Sequence, residues 1–319
     1  MRGTASRTRI GVVMPQAEIT TGEVKATSDF ARQAEESGFD HLLAFDHVLG
    51  VDSTSRPEWD GYYDHQVPFL EPFTLFAFLG SITTMEFVSD IMILPQRQTA
   101  LVAKQAATLD QLVEGRLRLG VGIGWNEVEY EALGESFSTR GRRFEEQIGL
   151  LRELWTHPVV DHAGEFDRVD RAGIAPLPVQ QPIPIWIGCG DKDIALDRVG
   201  RLADGWIPHP GLGAGGRLEA AWAKVRMFAE RAGRDPDSIG LEGHVPLRDT
   251  TIEGTEAKLS RWIDMGASHV AFNALGAGLA WPGQHLDVCS QVGARWSQHL
   301  GVDRPWTAPV QRRRRRDRQ

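Results

Sequence analysis

Apolar and polar positions along this chain follow two alternating periods. Short apolar runs predict strands at residues 9–14 (RIGVVM), 40–45 (DHLLAF), 87–94, 116–121, 184–188 (PIWIG), 205–208, 239–245 and 269–273 (HVAFN). Longer segments between them carry apolar residues at helical spacing and predict helices at 23–37, 71–84, 99–113, 140–155, 194–202, 218–232, 255–266 and 284–300. Residues Leu101, Ala103, Ala106, Leu109 and Leu112 mark one such face, while Gly38 and Pro95 supply stop signals. The rhythm breaks twice. A polar and aromatic loop fills about 46–68, and a proline-rich stretch at about 156–183 reads as an inserted hairpin or loop.

Eight strand–helix units without a second compositional regime predict an α/β fold, a closed (β/α)8 TIM barrel with insertion segments, rather than an open sheet. The expected organisation is a single barrel domain over 1–310 and a disordered basic tail at 311–319. The length of 319 residues suits one such barrel. In that architecture chemistry gathers where strands end and the following loops begin, which filters the candidate residues.

Charge and composition narrow the function classes. Net charge is −8, and the tail's six Arg and one Asp contribute +5, so the body carries about −13. An acidic body argues against a nucleic-acid partner. No apolar run approaches the roughly 20 residues needed to cross a bilayer, and the first residues, MRGTASRTR, lack the apolar core of a secretory signal. Cys189 and Cys289 have no metal-type spacing and read as reduced thiols of a cytoplasmic protein. The histidines show no paired ligand spacing, so no metal site is expected, and neither a Gly-x-Ser-x-Gly elbow nor a Walker loop occurs.

Four places carry candidate chemistry. Gly120, Gly122 and Gly124 follow a strand and form a glycine mouth before Trp125, where either a flat ligand could approach the backbone or a tight turn is made. Asp46-His47 falls just past the second strand, as a proton-exchanging pair or as a polar cap. Trp59, Tyr62 and Tyr63 in the next loop, with His209 beyond the sixth strand, are either a substrate wall or packed insertion and turn residues. Gly188-Cys189-Gly190-Asp191 links a strand to a helix start, whose exposed N–H groups favour an anion.

Taken in order, LPQRQ (94–98), AKQAATLD (103–110), GRLRLGVGIGW (115–125), EALG (131–134), RGRR (140–143), PIPIWIG before the 203–206 ADGW resemble the luciferase-like monooxygenase superfamily over about residues 9–273. The Asp46-His47 pair is most similar to the branch that uses coenzyme F420, a deazaflavin. The resemblance implies a cofactor ring in the barrel mouth, with His47 as proton donor or acceptor and Asp46 touching the ring or orienting His47. It further implies a non-prolyl cis bulge at Ile91 and Met92 behind the ring, Gly124 and Trp125 beside it, and Gly188 to Asp191 presenting N–H groups to its phosphate. Cofactor chemistry would then be hydride transfer, with the protein supplying orientation and protons.

One departure stands out. Deazaflavin sugar-phosphate dehydrogenases of this family carry a glutamate where this chain has Trp125, and no basic cluster suits a sugar phosphate. Glu127 and Glu129 open a helix and read as solvated charges, or as a substitute acid. Trp125, Trp59, Tyr62 and Tyr63 suggest an apolar small-molecule substrate. The expected activity is an F420-dependent oxidoreductase. The alternatives are an FMN-dependent monooxygenase on the same barrel, a non-catalytic F420-binding protein, and a non-redox barrel enzyme. The resemblance also implies a homodimer, for which the apolar 71–84 segment is a candidate interface or simply core.

Overall fold

The structure, a computed structural model, describes residues 7–19, 22–212 and 216–301; the expected tail at 311–319 lies outside them. Its strands are β1 (Arg9–Val13), β2 (His41–Ala44), β3 (Glu86–Ser89), β4 (Met92–Ile93), β5 (Leu117–Gly122), β6 (Val160–Ala163), β7 (Arg168–Ala172), β8 (Ile185–Cys189), β9 (Gly205–Pro208), β10 (Gly240–Pro246) and β11 (His269–Asn273). All but β6 and β7 join one parallel sheet, ordered β3-β2-β1-β11-β10-β9-β8-β5-β4, and β3 also pairs with β5. That last pairing closes the barrel. β3 and β4 act as one barrel strand interrupted at Asp90 and Ile91, so the barrel has the eight strands of a TIM fold.

The helices are α1 (Val24–Glu36), α2 (Pro72–Leu79), α3 (Thr99–Leu112), α4 (Glu127–Ala132), α5 (Arg140–Thr156), α6 (Asp193–Leu202), α7 (Arg217–Arg231), α8 (Gly254–Asp264) and α9 (Gly283–His299). α2 is shorter than the apolar pattern predicts. Glu71 caps its start by accepting the Thr74 N–H at 2.7 Å, Pro72 sits in its first turn, and the chain leaves the helix at Gly80. Phe73, Leu75, Phe76 and Leu79 are buried while Phe78 stays exposed, so most of that apolar content is core. The stretch around 156–183 holds the antiparallel pair β6–β7. Among the described residues, no helix is long and apolar enough to cross a membrane.

Strand alternation sorts side chains between two environments. Ile10, Val12, Leu42, Ala44, Phe87, Val270 and Phe272 face outward into one large core under the helices. Val13, Leu43, Val88 and Ala271 point inward and form a small separate cluster with Phe45 and Leu275. Below that cluster, at the amino-terminal ends of the strands, the barrel is plugged by charge. Arg118 Nη1 lies 2.5 Å from Glu242 Oε2 and its Nη2 3.2 Å from Glu86 Oε2, while Arg9 Nη1 reaches Glu86 at 3.1 Å. His41 Nε2 meets Glu242 Oε1 at 2.9 Å, and Trp186 lies under the Arg118 guanidinium at 4.3 Å. Burial pushes the Glu242 carboxyl up, but Arg118 and then His41 outweigh it and hold it well below the usual range. The His269 imidazole is pushed well down by burial and by Arg118.

Candidate active site

The carboxyl-terminal end of the barrel is built around a break in its third strand. The chain crosses it through a non-prolyl cis bond between Asp90 and Ile91, one bond earlier than the expected Ile91–Met92 position. The Ile91 side chain then turns into the mouth. A Cβ placed on Gly122 would sit 2.0 Å from Ile91 Cδ1, and one on Gly188 2.6 Å from Ile91 Cγ2. These two glycines make room for the bulge. Ser89 ties the bulge to β5, its Oγ donating to the Gly120 carbonyl at 2.8 Å.

Asp46 secures the same bulge. It is 3% exposed, it accepts Arg97 Nη2 on both oxygens at 2.7 and 2.8 Å, and it accepts the Ile93 N–H at 3.3 Å. Burial raises its pKa, with Arg97 opposing. The orienting role expected of Asp46 toward His47 falls to other residues, because Arg97 and Ile93 claim its carboxylate.

His47 Nδ1 shares a hydrogen bond with Tyr63 Oη and lies 3.8 Å from Glu129 Oε1. The Tyr63 ring lies tilted against the imidazole, centroids 3.7 Å apart, and Phe69 meets it edge-on at 4.7 Å. Glu129 is 1% exposed, not the solvated charge expected of a first-turn residue. Its Oε1 accepts the Val48 and Leu49 N–H groups at 2.9 and 3.1 Å, so it also pins the start of the aromatic loop. Burial raises its pKa, but nearby His47 and the hydrogen bonds from the Leu49 and Val48 amides outweigh it and lower it overall. Burial and the Glu129 charge push the Tyr63 phenol well up, so it stays protonated and can donate. The sequence held one signal for Glu129. It falls three residues after the helix-capping Asn126 and next to buried Tyr130, on the inward side of α4.

The aromatic candidates meet over this site. Trp125, 39% exposed, lies 5.4 Å from Trp59, 5.6 Å from Tyr62 and 5.6 Å from Tyr63. Tyr62 reaches across to His209 at 6.2 Å. His209 also shapes its turn, its Nδ1 accepting the Gly211 N–H at 3.1 Å.

The Gly188–Asp191 cradle divides in two. Gly188 and Cys189 belong to β8, in register with Ile207 and Pro208, and burial pushes the Cys189 thiol up to about 12, which makes it a poor nucleophile. Gly190 lies past the strand, and nothing stands within 4 Å of a Cβ placed on it. α6 follows with no side-chain cap, so its first amides remain open to an anion. The Asp191 side chain binds Arg217 at 2.7 Å, which brings a cation near the cradle that sequence reading did not single out. An open cradle at Gly190, an aromatic rim and the bulge floor together fit a planar ring with an anionic arm.

A closed parallel barrel with its polar machinery at the carboxyl-terminal mouth places the chain among barrel proteins whose chemistry resides in the strand–helix loops. The chain belongs to the luciferase-like monooxygenase family, which it matches over residues 8–280; members of that family are oxidoreductases and monooxygenases. It is 38% identical over 234 residues to an uncharacterized protein of Mycobacterium tuberculosis (strain ATCC 25618 / H37Rv), covering 71% of this chain and 78% of the relative. It is 33% identical over 205 residues to the FMNH(2)-dependent dimethylsulfone monooxygenase of Pseudomonas fluorescens (strain Pf0-1), covering 63% of this chain and 54% of the relative. An F420-dependent secondary alcohol dehydrogenase, solved with an F420–acetone adduct, superposes with a TM-score of 0.72 at 18% identity, covering 91% of this chain and 99% of that one; this likeness concerns the fold.

Proposed function

We propose that this protein is an F420-dependent oxidoreductase that transfers a hydride to or from a small, largely apolar organic substrate in the barrel mouth. The observation that carries the reading is the His47 imidazole, held between the Tyr63 hydroxyl and the buried Glu129 carboxylate beneath an aromatic rim. That arrangement suits proton delivery to a group whose charge changes as hydride moves. When bound, the deazaflavin supplies the hydride-carrying carbon.

The chain's own residues do the rest. Ile91, fixed through the Asp46–Arg97 pair, would back the ring. Gly190 and the first amides of α6 would hold the anionic arm. His47 Nε2, which makes no hydrogen bond among the described residues, exchanges a proton with the substrate while Tyr63 and Glu129 hold the other ring nitrogen. Trp59, Tyr62 and Trp125 exclude water and contact the apolar body of the substrate. Glu129, four residues past Trp125, acts as an ionised carboxylate that holds His47.

The 33%-identical FMNH(2)-dependent relative favours a second reading, an FMN-dependent monooxygenase. Anaerobic titration with F420 and FMN side by side separates the two. Tighter F420 binding with oxygen-independent turnover supports the proposal, and tighter FMN binding with oxygen-dependent turnover overturns it.

A further inference from the structure

Asn126 stands between Trp125 and α4, whose start it caps. Its Oδ1 accepts the Val128 N–H at 3.1 Å, which fixes the amide's orientation, since only the oxygen can meet a donor. Asp and Ser cap a helix about as well as Asn does, so capping alone does not call for an amide here. The residue is 2% exposed. Nδ2, the other end of the amide, acts as a donor on the Tyr63 phenol: burial and the Glu129 charge push that phenol up, and Asn126 draws it back. Nδ2 is buried and makes no other hydrogen bond among the described residues. An amide N–H buried without a partner costs about 1–3 kcal/mol, so the phenol oxygen is what accounts for a donor at this place. Around Tyr63 the competing acceptors are occupied. Glu129 Oε1 accepts the Val48 and Leu49 amides, its Oε2 accepts Gln96 Nε2 at 3.4 Å, and Asp46 is held by Arg97. The acceptor left to the Tyr63 hydroxyl is His47 Nδ1, its hydrogen-bond partner.

We propose that Asn126 is a positioning residue: its Nδ2–H holds the Tyr63 phenol oxygen, which turns the Tyr63 O–H onto His47 Nδ1 and leaves the neutral imidazole with its own proton on Nε2. His47 then meets a ligand at the mouth with an N–H, not with a lone pair. Glu129, 3.8 Å from Nδ1, balances the charge when both ring nitrogens carry protons. The inference rests on the reading of His47 as the proton-exchanging group of the mouth, and its test needs neither cofactor nor substrate.

Nitrogen NMR of the full chain, labelled on histidine, reads the tautomer directly, because a bare ring nitrogen and a protonated one resonate far apart. Spectra are taken at about pH 9, where an ordinary imidazole is neutral, with the His47 signals assigned by their loss in His47→Gln. The expected result for the unaltered protein is a bare Nδ1 and a protonated Nε2, favoured by about tenfold, or roughly 1.4 kcal/mol. In Asn126→Asp the new carboxylate takes the Tyr63 O–H, Nδ1 gains the proton and the preference reverses, while the α4 cap and the denaturation midpoint are kept. Asn126→Ser, also a cap, should give a mixture of the two tautomers. A role confined to capping would move neither. In Tyr63→Phe, Nδ1 should be protonated whichever residue stands at 126, because the Glu129 charge then draws the proton. A protonated Nδ1 in the unaltered protein, an unchanged tautomer in both Asn126 variants, or a bare Nδ1 in Tyr63→Phe overturns the proposal. If Asn126→Asp fails to fold, the unaltered protein and Asn126→Ser decide. A failed F420 titration leaves these signals unchanged, so the two readings fail separately.

Discussion

The two ends of this barrel solve opposite problems with similar residues. At the amino-terminal end, Arg9, Arg118, Glu86 and Glu242 form a closed set of two cations and two anions, and His41 and His269 fill the gaps. At the carboxyl-terminal end the polar groups line an opening. His47 offers a ring nitrogen to the mouth, His244 meets Asp90 at 3.5 Å, and Tyr62 is 80% exposed. A barrel interior can hold charge stably where opposite charges balance in a buried cluster, and it can hold reactivity where a polar group borders an opening. Val13, Leu43, Val88 and Ala271 separate the two regimes.

This contrast can be broken most severely at the mouth. His47→Ala should lower kcat by roughly 10²–10⁴-fold while cofactor affinity and chemical-denaturation stability stay close to wild type. A stability loss as large as its activity loss would erase the distinction between the two ends. Arg118→Met is the matching lesion at the plug. It strands Glu242 and Glu86 in the interior and should cost about 3–5 kcal/mol in denaturant unfolding, with Arg118→Lys as a milder variant.

The plug also makes a pH prediction. The folded pKa of His269 lies well below its ordinary value of 6.5, so the unfolded chain binds the extra proton first as pH falls. Its contribution to stability is complete above about pH 6.5 and declines as pH drops toward the folded value, with a limiting slope of about 1.4 kcal/mol per pH unit. His269→Gln should flatten that part of the stability–pH curve, and an unchanged slope would assign it elsewhere. Glu129 has the same sign at lower pH, since its depressed pKa keeps the Val48–Leu49 anchor in place until pH falls below the ordinary carboxylate range. The smallest effect belongs to the rim. Trp125→Ala should raise KM for an apolar substrate by about tenfold, or roughly 1.4 kcal/mol, and Tyr62→Ala by less because that ring is mostly in water.

Sequence pattern revealed the barrel because each strand is an apolar run and each helix keeps its spacing, so local periodicity carries the architecture. It also led to His47 and to the aromatic rim, whose residues lie just past strand ends. It named Glu129 beside Glu127 as a solvated charge or substitute acid but gave no sign of its burial, which depends on residues 48 and 49 folding back over a helix some eighty positions later. The charged plug escaped notice for the same reason. Arg9, His41, Glu86, Arg118, Glu242 and His269 each stand near a strand's start, and only the barrel's closure brings them together. The glycines of β5 were visible as a cluster, but that they yield to Ile91 depends on the break in the neighbouring strand.

A crystal structure of the protein with reduced F420 tests the central claim most directly. The account predicts the deazaflavin resting on Ile91, its reactive edge beside the His47 imidazole and its phosphate at Gly190 and the first amides of α6. A ring bound outside the mouth, or a mouth that stays closed by Trp59, Tyr62 and Trp125 at saturating F420, would contradict it.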